Sequence, residues 1–365
     1  MTVMKKATSD ALGRIVLQAV GWELAILLFV LIRFFGLGSI DAFRDLEISG
    51  SLQQFILIRA MVAGALIGLA LGSLDVWLAR TRLRRMPYGQ LILVQSAVHV
   101  ALITLVLAGV RASEFFVQAE EFNGRELLAR VFSANLLIVL LYTGLVSALF
   151  SFIEQVSRKF GPGNLVKMLL GRYYRPREEQ RIFMFLDLQS STTHAERLGH
   201  VLYSRLIQDC FRDLAVVLQN RAEVYQYVGD EAVLCWEVER GREDGNCLEA
   251  FFRFEAEIRS RADHYRELYG LVPRFKAGVN SGLVTVAEVG EIKREIAFHG
   301  DVLNTAARIK SKCNELERKL LVSEQLKDEL GELPSFLFEP MGSVSLRGRA
   351  QSVSIYAVER KGAGS

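Results

Sequence analysis

Four residues in the C-terminal half of the 365-residue chain combine side-chain type and placement in a way that suits phosphate chemistry: Asp187, Asp230, Asn304 and Arg308. Asp187 stands at the end of a short β-type run, Arg181–Leu186. The polar turn Leu188-Gln189-Ser190-Ser191-Thr192-Thr193 follows it and suits the start of a helix near His194. A carboxylate at the C-terminal end of a strand, beside a loop of backbone amides, is where an α/β sheet tends to bind phosphate and Mg2+. Taken alone, Asp187 reads equally well as a helix cap. Asp230 changes that reading. It sits at the tip of Gly229-Asp230-Glu231, between the strand-like runs Glu223–Val228 and Ala232–Trp236, which is a hairpin signal. If the hairpin lies beside the first strand, the two aspartates converge. Two aspartates that share two Mg2+ ions activate a hydroxyl and steady a triphosphate at once.

Downstream, Arg274–Val279 and Leu283–Val286 read as strands joined by Asn280-Ser281-Gly282, a second hairpin signal. Gly300-Asp301 then opens a helical stretch, Val302–Ser311, on which Asn304 and Arg308 stand four residues apart and share a face. Arg308 by itself is an unremarkable surface ion-pair residue. Arg347 and Arg349, between two late strand-like runs, offer further cationic groups for a polyphosphate.

These elements occupy only part of a chain with two populations of sequence. Half of it is apolar (51%) and the mean hydropathy is +0.23, although 23% of the residues are charged. Long apolar runs fill roughly the first 150 residues, and the remainder reads as an ordinary soluble domain. A net charge of +3 is too small to argue for nucleic-acid binding. The cysteines (Cys210, Cys235, Cys247, Cys313) lie in the soluble half without CxxC pairing or a zinc-type histidine pair, as reduced thiols of a cytosolic domain do.

Four apolar segments have the length that spans a bilayer: Ile15–Phe35, Ala60–Leu78, Leu91–Val110 and Val131–Ile153. Lys5, Lys6 and Arg14 precede the first, Arg80, Arg82, Arg84 and Arg85 crowd the second connection, and Arg158 and Lys159 follow the fourth. The other two connections carry mainly acids, so the positive-inside rule predicts a multi-pass protein of the inner (plasma) membrane with both termini cytoplasmic. Glu23, Arg59, Asp75 and His99 lie in or near the spans. Arg59 and Asp75 suit helix ends from which a charge snorkels, while Glu23 and His99 are candidates for sensing or helix packing. The short loops leave no room for a large external sensor. The predicted domains are a membrane unit over residues 1–153, a helical linker over 154–180 that Gly161-Pro162-Gly163 interrupts, and a catalytic domain over 181–360.

The soluble half resembles the class III adenylyl/guanylyl cyclase catalytic domain. The resemblance rests on Phe183-Met184-Phe185-Leu186-Asp187-Leu188 with Ser191-Thr192, on Val228-Gly229-Asp230-Glu231, on Gly278–Gly290, and on Gly300-Asp301-Val302-Leu303-Asn304-Thr305-Ala306-Ala307-Arg308, in that order. It implies an α+β, ferredoxin-like, palm-type fold whose domains pair head to tail as a homodimer, with each active site built across the interface. Asp187 and Asp230 match the residues that bind two Mg2+ or Mn2+ ions. Asn304 and Arg308 match transition-state residues given by the partner, the Asn orienting the ribose and the Arg stabilising charge on the α-phosphate. Arg347 or Arg349 resembles the lysine that binds the triphosphate. The implied activity is conversion of a nucleoside triphosphate, most often ATP in this family, to a 3′,5′-cyclic nucleotide and pyrophosphate for signalling.

The base-selecting positions depart from the family pattern. A Lys (adenylyl) or Glu (guanylyl) is typical four residues before the second metal aspartate, and an Asp or Thr (adenylyl) or Cys (guanylyl) three before the Gly of the Gly-Asp pair. Here those positions hold Gln226 and Ala297. An amide both donates and accepts, so Gln226 can pair with a base edge, whereas Ala297 offers no polar contact. GTP or a pyrimidine nucleotide remains an alternative substrate, and a degenerate receptor domain that only binds nucleotide and dimerises is an alternative role. A diguanylate-cyclase-like domain would share the fold but has no use for the Asn304…Arg308 helix, and four short-looped spans without broken-helix signals make a poor transport path.

Overall fold

Apolar runs become long helices, and the alternating runs of the second half become one sheet. The computed structural model describes residues 2–32, 50–78, 86–118, 134–161, 164–345 and 352–362. Its contacts divide the chain into two compact units, 1–159 and 160–365.

Among the described residues, the first unit holds α1 (Thr2–Leu31), α2 (Gly50–Leu78), α3 (Tyr88–Gln118) and α4 (Ala134–Phe160). Tyr88–Gly109 and Leu136–Ser157 are long and apolar enough to cross a membrane, while the apolar parts of α1 and α2, Ile15–Leu31 and Gly64–Trp77, are shorter. An apolar cluster of Trp22, Ala25, Leu71, Ile103 and Val146 lies inside, and the outside is apolar too. Leu17, Leu66, Leu93, Leu105 and Leu145 are exposed, whereas Asp75, Gln95, His99, Ser147, Ser151 and Gln155 are buried. Gln95 Nε2 donates to Asp75 Oδ1 at 2.6 Å, and the His99 ring lies between that same oxygen (3.0 Å) and Ser147 Oγ (2.7 Å). Asp75 is therefore an interior partner of His99, not the snorkelling helix-end acid that its position suggests. Glu23 packs against α2 because position 64 is glycine: a Cβ there would lie 2.5 Å from Glu23 Oε2. The Arg59 side chain falls outside the described residues.

The second unit opens with the short helix α5 (Asn164–Leu169). Then come β1 (Arg177–Leu188), α6 (Ser191–Asp213), β2 (Glu223–Val228), β3 (Glu231–Glu237) and a helical turn, α7 (Val238–Arg242). Two helices, α8 (Asn246–Ser260) and α9 (Ala262–Tyr269), lead to β4 (Phe275–Val289) and β5 (Glu295–His299). The chain ends with α10 (Asp301–Glu315), β6 (Leu320–Ser323), α11 (Glu324–Leu330), β7 (Phe336–Ser345) and β8 (Ser352–Arg360). The strands form one mixed sheet in the order β2-β3-β1-β4-β6-β8-β7, with β5 paired to β4. Its first half, β1-α-β2-β3-α-β4 with antiparallel pairing, has the ferredoxin-like order.

Period-two alternation assigns the faces. Ile182, Met184, Leu186 and Leu188 of β1 enter the core beneath the helices, with Leu206, Cys210, Phe251 and Phe254. Phe183 and Phe185 face the other way, into a cluster with Val233, Cys235, Val302 and Ala306, so Asp187 belongs to the side on which α10 packs. The sequence reading of Asn280-Ser281-Gly282 as a hairpin is wrong. β4 runs straight through these residues, pairing Phe183 with Asn280 and Ile182 with Ser281, and the chain reverses after Val289 instead. Both polar side chains are buried, and Asn280 Nδ2 donates to the Val302 carbonyl at 3.2 Å, so sheet pairing and this bond override turn propensity.

α10 approaches β4 backbone to backbone at Gly278. A Cβ at that position would land on the Lys310 backbone nitrogen and lie 2.5 Å from the Ala306 carbonyl oxygen and 2.7 Å from Lys310 Cα. We expect Gly278→Ala to push α10 off the sheet and cost about 1–3 kcal/mol, read by denaturant unfolding of the full-length chain. Unchanged stability would mean that the helix does not sit this close.

Candidate active site

The antiparallel register sets Asp187 opposite Glu231 on β3 and opposite Lys276 on β4, forming one row of charged residues across three strands. Asp230 occupies the two-residue turn just before Glu231, beside Gly229, whose φ of 61° suits glycine. The carboxylates of Asp187 and Asp230 both reach the Tyr203 phenol of α6 electrostatically. Burial, then the Asp230 charge, then that of Asp187 raise its pKa above the ordinary tyrosine value, against a Ser191 hydrogen bond that lowers it. Asp230 is thus the chain neighbour of Glu231, which pairs with Asp187 at the end of β1.

Two cations accompany them. Lys276 Nζ lies 3.4 Å and Lys310 Nζ 3.3 Å from the same Asp187 oxygen, Oδ2, and Lys310 Nζ is also 2.7 Å from Glu231 Oε2. Lys276 Nζ donates to Asn314 Oδ1 at 3.2 Å. Burial pulls the Lys310 pKa down, but the Glu231 hydrogen bond and the Asp187 charge outweigh it and leave the ammonium above the usual lysine range. Sequence reasoning missed Glu231, Lys276, Lys310 and Tyr203. Glu231 and Lys276 are legible only once strand register is known, and Lys310 carried a weak signal as a cation two residues beyond Arg308.

Asn304 is exposed and Arg308 half-buried, both on α10. At 100° per residue, Arg308 lies about 160° around the helix from Lys310. Asn304 lies about 120° around from Lys310, so Asn304 and Arg308 share an edge of α10 that differs from the one by which Lys310 meets Asp187.

Gln226 lies exposed on edge strand β2, and Ala297 is half-buried on β5, paired with Ala287. Their neighbours Tyr225 and Phe298 meet edge to face with centroids 5.0 Å apart, so the two stretches run close together. Between them lies a buried guanidinium. Arg181, 1% exposed, bonds Glu179 at 2.6 Å and lies 5.5 Å from the Phe298 ring centroid, which ties β1 to the β5 hairpin. Arg347 and Arg349 fall outside the described residues.

No group of three or more His, Cys, Asp or Glu residues that could hold a metal occurs among the described residues. Asp187 and Asp230 make a hard, all-oxygen pair. Such a pair suits Mg2+ or Mn2+ held jointly with substrate phosphates and water, and does not make a self-sufficient cage.

Comparison with known proteins agrees with this architecture. Residues 173–360 match the family described as the adenylate and guanylate cyclase catalytic domain. The chain belongs to that family. Adenylate cyclase 2 of Rhizobium meliloti (strain 1021) is 32% identical over 221 residues, 60% of this chain and 61% of that protein. The chain thus spans less than two thirds of that relative. A photoactivated adenylate cyclase subunit alpha-like protein of Euglena gracilis is 25% identical over 221 residues, 57% of this chain and 22% of that protein. A solved bacterial light-regulated adenylyl cyclase superposes with a TM-score of 0.51 at 16% identity, covering 62% of this chain and 67% of that one, which speaks to fold alone.

Burial pushes the thiols of Cys210, Cys235, Cys247 and Cys313 up to about 12. The raised values keep all four as unreactive thiols at pH 8. Iodoacetamide at that pH should leave the folded chain at its native mass and add four carbamidomethyl groups after unfolding. Rapid labelling of any one of them in the folded protein would contradict the packing.

Proposed function

We propose that the chain is a membrane-anchored nucleotide cyclase that converts ATP to 3′,5′-cyclic AMP and pyrophosphate, with residues 181–360 as the catalytic domain, 154–180 as the linker and 1–153 as a four-span anchor. It would sit in the inner (plasma) membrane with both termini and the catalytic domain cytoplasmic. The anchor is supported by Tyr88–Gly109 and Leu136–Ser157, by the apolar stretches of α1 and α2, and by a leucine-covered exterior while Asp75, Gln95 and His99 are buried.

One observation carries the site assignment: Lys310 meets Asp187, while Asn304 and Arg308 lie about 120° and about 160° around α10 from it. That separation supports a reading in which Asn304 and Arg308 serve the aspartates of a second copy. In the homodimer, Asp187 and Asp230 of one copy would hold the divalent ions, and Asn304 and Arg308 would approach from the other. Mg2+ or Mn2+ bound there would acidify the ribose 3′-hydroxyl and neutralise the triphosphate. Asn304 orients the ribose, and Arg308 meets charge developing on the α-phosphate. The 3′-oxygen loses its proton to water and forms the new bond to the α-phosphorus, the bond to the bridging oxygen breaks, and pyrophosphate leaves. Arg347 or Arg349 would bind the β- and γ-phosphates.

ATP is favoured by the adenylyl cyclases among the relatives. The chemistry of Gln226 agrees, since glutamine pairs with adenine through one acceptor and one donor. Purified full-length protein should yield cyclic AMP from ATP with Mn2+, and less cyclic product from GTP, CTP or UTP, as identified by mass spectrometry. No cyclic product from any of the four, or a dinucleotide product, would refute the proposal.

Two defective chains should complement each other. Asp187→Ala and Arg308→Ala should each fall to roughly 0.1% of wild-type turnover, the scale of losing an arginine finger. Random mixing makes half of the dimers mixed, with one intact site in two, so the co-expressed pair should recover about a quarter of wild-type activity. Failure to recover turnover in confirmed mixed dimers would rule out the shared site.

A further inference from the structure

The carboxylate row at the end of β1 holds more positive charge than a metal site should need. Asp187 Oδ2 faces two ammonium groups, Lys276 at 3.4 Å and Lys310 at 3.3 Å. A divalent ion binds carboxylate oxygen at roughly 2.0–2.2 Å. An ammonium on that same oxygen would lie within a few ångströms of the ion, where like charges repel strongly. Both lysines, however, have a second acceptor away from Asp187: Glu231 Oε2 for Lys310, at 2.7 Å, and Asn314 Oδ1 for Lys276, at 3.2 Å. Each can release Asp187 without becoming an unpaired buried charge.

Lys310 is the more informative of the two. Its backbone nitrogen sits in the contact with Gly278, so its Cα is fixed against β4 and the side chain alone can move. The Lys310 side chain is 19% exposed and that of Asp187 15%, so neither charge is well screened by water.

We propose that Lys310 is a positioning residue that stands in for the catalytic metal ion, holding Asp187 and Glu231 in place while the ion is absent and competing with it for Asp187. This rests on the assignment of Asp187 and Asp230 as the metal-binding pair. Lys310 then sets the divalent-ion concentration at which the site fills.

The competition has a sign that a structural defect lacks. Removing a structural lysine weakens ion binding, whereas removing a competitor strengthens it. Mn2+ binding to full-length protein without nucleotide, followed by the loss of free-Mn2+ electron paramagnetic resonance signal, reads this directly. Lys310→Met, which keeps the chain length and drops the charge, should bind Mn2+ three- to tenfold more tightly. Lys310→Arg, which keeps the charge, should stay within twofold of wild type. Glu231→Gln removes the charge of the second acceptor, leaves Lys310 more firmly on Asp187 and should weaken binding. Unchanged or weaker Mn2+ binding by folded Lys310→Met would overturn the proposal, as would tighter binding by Glu231→Gln. Asp187→Asn separates the two levels of inference. If it leaves Mn2+ binding intact, the metal assignment itself fails. If it abolishes binding while Lys310→Met changes nothing, only the role of Lys310 is lost.

Discussion

The close approach of α10 to β4 at Gly278 fixes the rest of the catalytic half. With no side chain between helix and strand, the rotation of α10 is set by backbone contact. That rotation decides which groups lie on which flank. Lys310 and Asn314 meet the charged row formed by Glu231, Asp187 and Lys276, and Asn304 and Arg308 share another edge of the helix. The proposed second copy is supported by this geometry, because Asn304 and Arg308 lie about 120° and about 160° around α10 from Lys310.

The row itself follows from strand alternation. Arg181, Phe183, Phe185 and Asp187 share a face of β1, and antiparallel pairing places Glu231 and Lys276 beside Asp187 on the neighbouring strands. Phe183, Val233, Cys235 and Ala306 exclude water beneath that face, which keeps the charges at its end in a medium where they act strongly. The first unit follows the opposite rule. Asp75, Gln95, His99 and Ser147 turn inward, where they hydrogen-bond with one another, and many of its leucines turn outward. Lipid is the solvent that favours that arrangement in the proposed anchor.

Much of the site was legible from residue types in order. The position of Asp187 at a strand end, of Asp230 in a two-residue hairpin, and the shared face of Asn304 and Arg308 all follow from local rules of turn chemistry and periodicity. What was not legible depends on pairing between distant segments. Lys276 became part of the site only through the β1–β4 register, and Lys310 only through the rotation of α10. Asn280-Ser281-Gly282 has good turn residues yet lies in mid-strand, because burial and the bond to Val302 outweigh local preference. His99 was singled out as an intramembrane candidate, but its partners on other helices, Asp75 and Ser147, appear only when the helices are packed.

The central claim is that two acids of one copy and an amide and guanidinium of another surround the same substrate. A structure of the full-length protein with Mn2+ and a non-cyclisable ATP analogue, with Mn2+ located by anomalous scattering, tests it most directly. The account predicts Mn2+ between Asp187 and Asp230, with Asn304 and Arg308 of the partner subunit beside the ribose and α-phosphate. Mn2+ bound elsewhere, or nucleotide held by a single copy with Arg308 facing solvent, would contradict it.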